Sequence, residues 1–467
     1  MKSPSRIPLS PCDYLVFNHH LLMRHKRQGE YLALMVLDVG AHVEPERIRA
    51  ALARAMIAHP VMMADLRVSL LTGRPYWRIP RNLEESAARA AELVHAGHDL
   101  RDAADWAARL QQMIDASLSC RWPFSPGPPL RLDQYLLPDG RTRFCLRWPH
   151  FLMDADGAQL FLREVARLDA PRTGPPSAPA EFASAHQPPG TAPLDVLAGC
   201  SLPARLRLLR RGLAAQRRDP AVKIGNLYPS LYPPAAAHRL LHRVYAPEQV
   251  RRMQTRAQQL APPGPGLYAR YLAACTFRVL DRLYAERAVS TDAYLMTLPR
   301  RVALPVREGG GPAVRPVWGN YLVPLTLTAL RGHVGDRRAL GEDLLRQYQS
   351  LLEDRADASL WAMMWAVSRL RVGMYQAMMR LERGFAPMAS GFSFYGEIDP
   401  PVRTFGGAEV LNLFGAGLAA TPPGWNLAFS RFRDRLNVSL TYNLPAVPDD
   451  LARRYLDDLE HEVFTAD

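Results

Sequence analysis

The sequence predicts an α/β fold with mixed α+β sheets, organised as two packed halves of unequal length. Its 467 residues exceed the roughly 250 to 300 at which a single hydrophobic core stops growing. Of these residues, 48% are hydrophobic and 22% are charged, which is typical of globular domains. Helical and strand patterns recur in both halves, but they do not alternate regularly enough for a doubly wound parallel sheet.

The N-terminal half, residues 1–169, is expected to alternate strands and helices. A helix over 46–59 is predicted by apolar residues that repeat at steps of three and four and so share one face. Strands are expected over 31–39 and 64–70, and a long Ala-rich helix is expected to end near Met113. A hairpin follows, with arms over 130–137 and 141–148 and a turn at Pro138-Asp139-Gly140.

Residues 170–193 are predicted to form an extended linker, because their density of Pro, Ala and Ser cannot bury much apolar surface. The C-terminal half, residues 194–467, again mixes both kinds of element. Helices are expected near 204–217, 247–260, 266–285, 338–352, 358–383 and 448–463. Strands are expected near 238–245, 301–306, 320–328, 391–397, 424–430 and 435–442.

The charge balance favours anionic partners. Lys and Arg number 58 against 45 Asp and Glu, which gives a net charge of +13. Such a surplus attracts coenzyme A phosphates, an acidic carrier protein or anionic lipid. No basic run is interleaved with aromatic residues as in a nucleic-acid-binding module, so no nucleic-acid partner is expected.

The cysteines and histidines predict neither disulfides nor a metal site. The five cysteines are scattered and never spaced as CxxC, which fits a reducing cytoplasm. His19, His20 and His25 have no acid or cysteine at ligand spacing, and we expect them on an amphipathic surface. The N-terminus lacks the apolar core of a secretory signal, and no stretch reaches the ~20 apolar residues that cross a bilayer. We therefore expect a cytoplasmic monomer.

One stretch, RWPHFLMDADGAQLFLREV over 147–165, combines an imidazole with carboxylates between two apolar elements. Pro149 cannot donate to a central ladder, so His150 should lie just past the preceding strand. Asp156 can cap the following helix, with Gln159 at capping-box spacing. A largely neutral imidazole on this short loop could accept a proton from a hydroxyl or amine. The spacing alone favours a histidine with a purely structural role beside a capped helix.

This stretch resembles the HHxxxDG signature of the chloramphenicol-acetyltransferase-like superfamily, which includes condensation domains of peptide synthetases and wax-ester synthase/diacylglycerol acyltransferases. His150 matches the second, catalytic histidine, and Asp154 matches the structural aspartate. Pro149 replaces the first histidine, and Ala155 stands in the glycine position, with Gly157 two residues later. Other segments resemble family motifs in the family's order, including PLSPCDYLVF, AHPVMMADLRV and VALPVREGGGPAVRPVWGNYLVPL.

The resemblance implies two acetyltransferase-like subdomains that form a V-shaped pseudo-dimer around a central tunnel. It also implies that Asp154 forms a salt bridge with an arginine of the C-terminal half. Arg307 is the first candidate for this arginine and Arg301 is the second. Residues expected near the substrate or tunnel are Asp156, Gly157, Asn320 and Ser393.

The function implied is a stand-alone acyltransferase in secondary-metabolite or lipid biosynthesis. An acyl group would pass from acyl-CoA or a phosphopantetheinyl carrier protein to a small-molecule or lipid hydroxyl or amine, with His150 as general base and no permanently bound cofactor or metal. Peripheral membrane contact would accompany a lipid acceptor. The departures at Pro149 and Ala155 keep an alternative open, in which the chain is a non-catalytic docking module for a carrier protein or partner enzyme.

Overall fold

The structure is a computed structural model, and it describes residues 6–122, 127–169, 196–215, 221–228, 234–302, 319–380, 388–398, 402–418 and 420–465. The predicted linker and Arg307 lie outside these residues. The helices are α1 (Pro11–His25), α2 (Pro45–Ala58), α3 (Leu83–Val94), α4 (Trp106–Ser119), α5 (Ala155–Asp169), α6 (Leu202–Ala215), α7 (Pro247–Leu260), α8 (Leu267–Glu286), α9 (Arg331–Val334), α10 (Arg337–Glu353), α11 (Ala356–Val367), α12 (Val372–Arg380) and α13 (Asp449–Phe464).

The strands form one small sheet and two six-stranded sheets. They are β1 (Arg6–Pro8), β2 (Leu32–Val39), β3 (Asp65–Val68), β4 (Pro75–Arg78), β5 (His95–Asp99), β6 (Arg131–Leu136), β7 (Thr142–Pro149), β8 (Ala237–Tyr245), β9 (Ala293–Arg301), β10 (Leu322–Leu330), β11 (Ser390–Glu397), β12 (Thr404–Phe405), β13 (Ala408–Gly417), β14 (Trp425–Phe432) and β15 (Arg435–Leu444). The small sheet has the order β1-β4-β3.

The first large sheet has the order β12-β13-β2-β7-β6-β5. Every residue of its strand β2, LALMVLDV, is buried, as expected of a strand covered on both faces. β13 pairs antiparallel with β2, from Val410 opposite Val39 to Gly417 opposite Ala33. The C-terminal half therefore contributes two strands to the N-terminal sheet, and the boundary between the sheets does not coincide with residues 170–193.

The second large sheet has the order β10-β9-β11-β14-β15-β8. Its apolar side chains pack with those of α7, α8 and α13 into one buried cluster, whereas a separate cluster joins the first sheet to α2, α3 and α5. Each sheet is thus covered by helices, which is the layered arrangement expected of mixed sheets.

Several elements differ from the sequence-based expectation. The Ala-rich helix is interrupted by β5, whose residues HAGHD pair parallel with β6, because tertiary pairing overrides their weak strand propensity. The helix expected over 358–383 is divided into α11 and α12 by a turn at 368–371. Of the strand expected over 301–306, Arg301 is the last residue of β9, Val302 is not in a strand, and residues 303–306 lie outside the described residues. The rest of β9 and all of β13 were not predicted.

The histidine cluster of α1 was also misjudged. His20 is buried and its Nε2 lies 3.0 Å from a carboxylate oxygen of the buried Glu30, so α1 is not simply an amphipathic surface helix. Within the described ranges, no cluster of three or more His, Cys, Asp or Glu side chains could hold a metal ion. Across the same residues, no helix is long and apolar enough to span a membrane.

Candidate active site

His150 lies directly after β7, where the chain leaves the first sheet. Its backbone N–H donates to the carbonyl of Tyr31 at 2.9 Å, and its ring stacks on the Tyr31 ring with centroids 5.1 Å apart. Asn320 donates from Nδ2 to the His150 carbonyl at 2.9 Å. Both backbone groups and one ring face are therefore fixed, while the residue as a whole keeps intermediate exposure.

Burial lowers the pKa of His150, although its own backbone and the side chain of Asn320 act in the opposite direction. Its Nδ1 is buried, and in the described part of the chain this atom has no hydrogen-bond partner. A lowered pKa keeps the imidazole neutral at physiological pH, which is the form a general base requires.

Asp154, rather than Asp156, caps α5. The Asp154 Oδ1 accepts from the amide of Gly157 at 2.9 Å, and the Asp154 carbonyl accepts from the amide of Ala158 at 3.0 Å. The helix therefore begins two residues earlier than the Asp156–Gln159 spacing suggested. An aspartate at this position satisfies an amide that would otherwise lack a partner.

The same carboxylate joins α5 to the second half of the chain. Asp154 Oδ2 accepts from the amide of Tyr321 at 3.1 Å, and the Asp154 amide donates to the carbonyl of Gly319 at 3.2 Å. Asp154 is only 1% exposed, and its burial raises its pKa against the effect of these amides. The loop that carries His150 is thus attached to the segment that carries Asn320.

Asn320 extends this connection to the start of α1. Besides the His150 carbonyl, its Nδ2 donates to Asp13 Oδ1 at 2.7 Å. Asp13 also forms a capping box with Ser10, in which each side chain accepts from the other's amide at 3.0 Å. Burial raises the pKa of Asp13 to about 7, although the bonds from Asn320 and Ser10 oppose this rise.

Gly157 and Gly319 lie next to each other, and each position requires a glycine for a different reason. A Cβ on Gly157 would lie 2.8 Å from the Cβ of Met153 and 3.5 Å from the backbone of Gly319. The first distance is shorter than side chains tolerate, and Gly319 itself has a φ of +109°, a conformation that favours glycine. Gly157 is therefore required by the turn from Met153 into α5, and Gly319 by its own backbone conformation.

The arginine expected to pair with Asp154 pairs with a neighbouring carboxylate instead. Arg301, at the end of β9, forms an ion pair with Asp156, while its charge acts on Asp154 only as a weaker lowering influence on the pKa. Among the described residues, Asp154 is held by backbone amides rather than by an ion pair. The first candidate, Arg307, lies outside the described residues.

Ser393 and two tyrosines lie in the same region. Burial raises the pKa of Tyr395 to about 12, and the charges of Tyr31 and Asp154 add to this rise. A hydrogen bond between the Tyr395 phenol and Ser393, on β11, opposes it. Burial likewise raises the pKa of Tyr31 to about 12. Both phenols are therefore neutral hydrogen-bond donors rather than bases at physiological pH.

The structure thus brings the sequence-predicted residues His150, Asp154, Asp156, Gly157, Asn320 and Arg301 into one network and places Ser393 next to it. Sequence reasoning missed Asp13, Tyr31 and Tyr395. The Ser10-x-x-Asp13 spacing signals a helix start, but nothing in it indicates a partner 307 positions away.

This chain is similar to known proteins in its structure, whereas comparison of its sequence finds no match. No protein-family model matches the sequence, and no curated protein matches it. The trichothecene 15-O-acetyltransferase of Fusarium sporotrichioides is similar over 98% of this chain and 95% of its own, with a TM-score of 0.68 at 13% sequence identity.

Two condensation domains are also similar to this chain over nearly its whole length. The first condensation domain of the calcium-dependent antibiotic synthetase, in complex with a substrate analogue, covers 99% of this chain and 96% of its own, with a TM-score of 0.66 at 18% identity. The starter condensation domain of rhizomide synthetase, in complex with C8-CoA and Leu-SNAC, is similar over 99% of this chain and 95% of its own, with a TM-score of 0.62 at 15% identity. The chain therefore has the fold that this acetyltransferase and these condensation domains share, and the predicted fold class is confirmed.

Proposed function

We propose that this protein is a condensation-type acyltransferase in which His150 is the general base. The observation that carries the proposal is the setting of this imidazole. It is fixed by two backbone hydrogen bonds and a stacked ring, it forms no ion pair with a described carboxylate, and its pKa is lowered. A histidine with only a structural role would not need a neutral ring held so rigidly at partial exposure.

In the reaction, an acceptor hydroxyl or amine would bind beside the ring and transfer its proton to His150 as it attacks a thioester carbonyl. The tetrahedral intermediate would collapse with loss of the thiolate, which takes the proton back from the imidazolium. The products are an ester or amide and a free thiol. General base catalysis of this kind is typically worth roughly a hundredfold to ten-thousandfold in rate.

Asp154, Asn320 and Asp13 would act as positioning residues rather than as reacting groups. Their hydrogen bonds run from α1 through Asn320 to the His150 carbonyl, and from Asp154 to the amides of both halves. Holding the base in place avoids the entropic cost of orienting it in each turnover. The phenols of Tyr31 and Tyr395 are available to donate to a substrate oxygen.

The donor would be acyl-CoA or an acylated carrier protein, and it would reach His150 through a passage between the two halves. The structures of similar fold support this choice, since one acetyltransferase and two condensation domains share the fold and one of them was solved with C8-CoA and Leu-SNAC. No permanently bound cofactor is needed, because the activated thioester supplies the free energy for the transfer. The chain length of the acyl group and the choice of ester or amide product depend on the acceptor.

The test is thiol release by purified protein from a panel of acyl-CoAs and acylated carrier proteins, with and without hydroxyl and amine acceptors. We expect acceptor-dependent release, and we expect His150→Ala to abolish turnover while its melting temperature stays nearly unchanged. His42→Ala is the matched control, because His42 is a partly exposed histidine that pairs with Glu44. Full activity in His150→Ala would refute the assignment.

The non-catalytic alternative has a distinct outcome in the same experiment. A docking module would bind an acylated carrier protein without releasing thiol from any donor, and His150→Ala would leave that binding unchanged. Pro149 and Ala155, the two departures from the motif, are the features that favour this alternative.

A further inference from the structure

Exposed apolar side chains are concentrated in three short segments of the chain. Of the twelve large hydrophobic residues that are exposed among the described residues, eight fall within 66–81, 202–215 and 369–380. They are Val68, Leu70, Leu71, Leu202, Leu206, Leu213, Met374 and Met378. Two of them, Leu70 at 100% and Leu71 at 87% exposure, occupy the tip of the β3–β4 hairpin.

The first and third segments contact each other directly, and α6 lies beside the third segment at Trp365, so the three form one surface. The guanidinium groups of Arg205, on α6, and Arg369, before α12, both lie over the Trp365 ring, at 5.6 and 4.9 Å from its centroid. Arg371 donates from Nη2 to the carbonyl of Leu71 at 3.2 Å. The amide of Val372 donates to the carbonyl of Gly73 at 3.1 Å. We call the residues of these three segments the basic apolar surface.

The charged side chains of these three segments are all positive. The three segments contain eleven arginines and neither Asp nor Glu. Asp65, just outside the first segment, forms ion pairs with two of these arginines, Arg67 and Arg78. The arginines are Arg67, Arg74, Arg78, Arg81, Arg205, Arg207, Arg210, Arg211, Arg369, Arg371 and Arg380.

The helix α6 presents its leucines away from the protein. At about 100° per residue, Leu202, Leu206 and Leu213 lie within roughly 40° of one another. Gly212 lies on a different side, where it faces the Ser359 carbonyl of α11 so closely that a Cβ would clash. The backbone of α6 is therefore pressed against α11, and the leucine stripe, flanked by exposed arginines, remains uncovered.

We propose that the basic apolar surface binds an anionic phospholipid membrane, with its leucines and methionines in the interfacial region and its arginines on the lipid phosphates. A basic helix with an exposed leucine stripe is the usual form of an interfacial membrane helix. The fully exposed tip at Leu70 and Leu71 projects outward, whereas protein partners are usually anchored in well-packed pockets. A bilayer needs no complementary shape, and it offers both apolar depth and negative charge.

The hairpin that carries this exposed tip is also joined to the loop of the candidate active site inside the core. Trp77, on β4 of the hairpin, is buried and stacks on the buried Phe151 with ring centroids 5.9 Å apart, and Phe151 directly follows His150. The inference goes beyond the proposed acyl transfer and does not depend on it, because binding is measured without turnover.

The test is co-sedimentation of the full chain with vesicles of phosphatidylcholine alone and of phosphatidylcholine mixed with phosphatidylglycerol. We expect binding to the anionic vesicles only, with a loss on raising the salt concentration, since salt screens exposed charges. We expect the exposed pairs L70S/L71S and L202S/L206S each to weaken binding about tenfold or more, because each removes two leucine side chains from the interface. R207Q/R210Q should weaken binding to anionic vesicles as well.

The matched control is I57S/L93S, which removes two exposed hydrophobic side chains outside the surface, at 39% and 46% exposure. It should bind like the wild type. Absence of wild-type binding to anionic vesicles at low salt would overturn the proposal, as would equal loss in the control pair. Self-association abolished by L70S/L71S without any vesicle binding would also overturn it, and would assign the surface to a second copy of the chain.

Discussion

Replacing Asn320 with alanine tests the network that holds His150. The substitution removes a donor to ionised Asp13 at 2.7 Å and a donor to the His150 carbonyl at 2.9 Å. A hydrogen bond to a charged group is worth about 1.5 to 3 kcal/mol, and a neutral one about 0.5 to 1.5 kcal/mol. Because Asn320 is 1% exposed, water cannot easily replace it. The expected loss in the free energy of unfolding is about 2 to 4 kcal/mol at pH 8.

The loss should depend on pH with a defined sign. The pKa of Asp13 is raised to about 7, so the carboxyl is ionised at pH 8 and neutral at pH 5. The bond from Asn320 stabilises the ionised form, and the cost of Asn320→Ala should therefore be smaller at pH 5 than at pH 8. The same argument predicts a smaller cost in an Asp13→Asn background, where the charge is absent at every pH.

Urea unfolding followed by circular dichroism, at both pH values, measures these costs. A double-mutant cycle of Asp13→Asn and Asn320→Ala should give a coupling free energy of about 1 kcal/mol or more. A cost below about 0.5 kcal/mol at pH 8, within the range of ordinary surface substitutions, would refute the role assigned to Asn320. So would a cost that is the same in both backgrounds.

Three further outcomes follow from the site. The plot of kcat/KM against pH should rise through the pKa of His150 with its midpoint below about 6.5, the ordinary imidazole value, since burial lowers this pKa. A midpoint above about 6.5 would contradict this prediction. Gly157→Ala should lower the free energy of unfolding, measured in urea, by about 1 to 3 kcal/mol through overpacking. A gain of up to about 1 kcal/mol in helix propensity would offset part of this loss. The control Gly97→Ala should change the free energy of unfolding little, because a Cβ at Gly97 meets nothing within 4 Å. Arg301→Gln should lower the free energy of unfolding by less than about 1 kcal/mol, because the ion pair of Arg301 with Asp156 is partly exposed. A loss of about 3 to 5 kcal/mol would contradict this prediction and would indicate a buried ion pair.

Much of the fold could be predicted where a segment carries its own periodic signal. The helix Pro247–Leu260 and the strand Trp425–Phe432 lie within two residues of their expected bounds, because their apolar patterns arise from packing against a single sheet or core. The strand His95–Asp99 has no such pattern, since its residues are largely polar and it exists only through pairing with β6. β13 was missed although its residues AEVLNLFGAG are largely apolar and mostly buried, and its pairing with β2 in the other half of the chain could not be inferred from the local pattern.

In the candidate site as well, residues placed by contiguous segments could be predicted, whereas residues placed by long-range contacts could not. His150 and Asp154 could be found from sequence because the strand, the short loop and the helix that place them are contiguous. Asp13 and Tyr31 could not, since Asp13 reaches the site only through Asn320 and Tyr31 only through stacking on the His150 ring. The helix cap was assigned to Asp156 because its spacing to Gln159 is favourable locally, whereas the competing bond from Tyr321 that draws Asp154 into the cap position is a long-range contact.

The shift of the motif's glycine from position 155 to position 157 has a physical explanation in this chain. Ala155, in the expected glycine position, packs partly buried against the N-terminal core, and its methyl group is accommodated there. The position without room for a Cβ is Gly157, where a Cβ would lie 2.8 Å from the Cβ of Met153, on the loop that carries His150. The backbone of Gly319, 3.5 Å from that Cβ, would be in ordinary van der Waals contact, so it is the turn from Met153 into α5 that requires a glycine at position 157. The departure at Ala155 therefore leaves intact the contacts that attach Asn320 to the His150 loop, and it weighs less against a catalytic role than the sequence alone suggested.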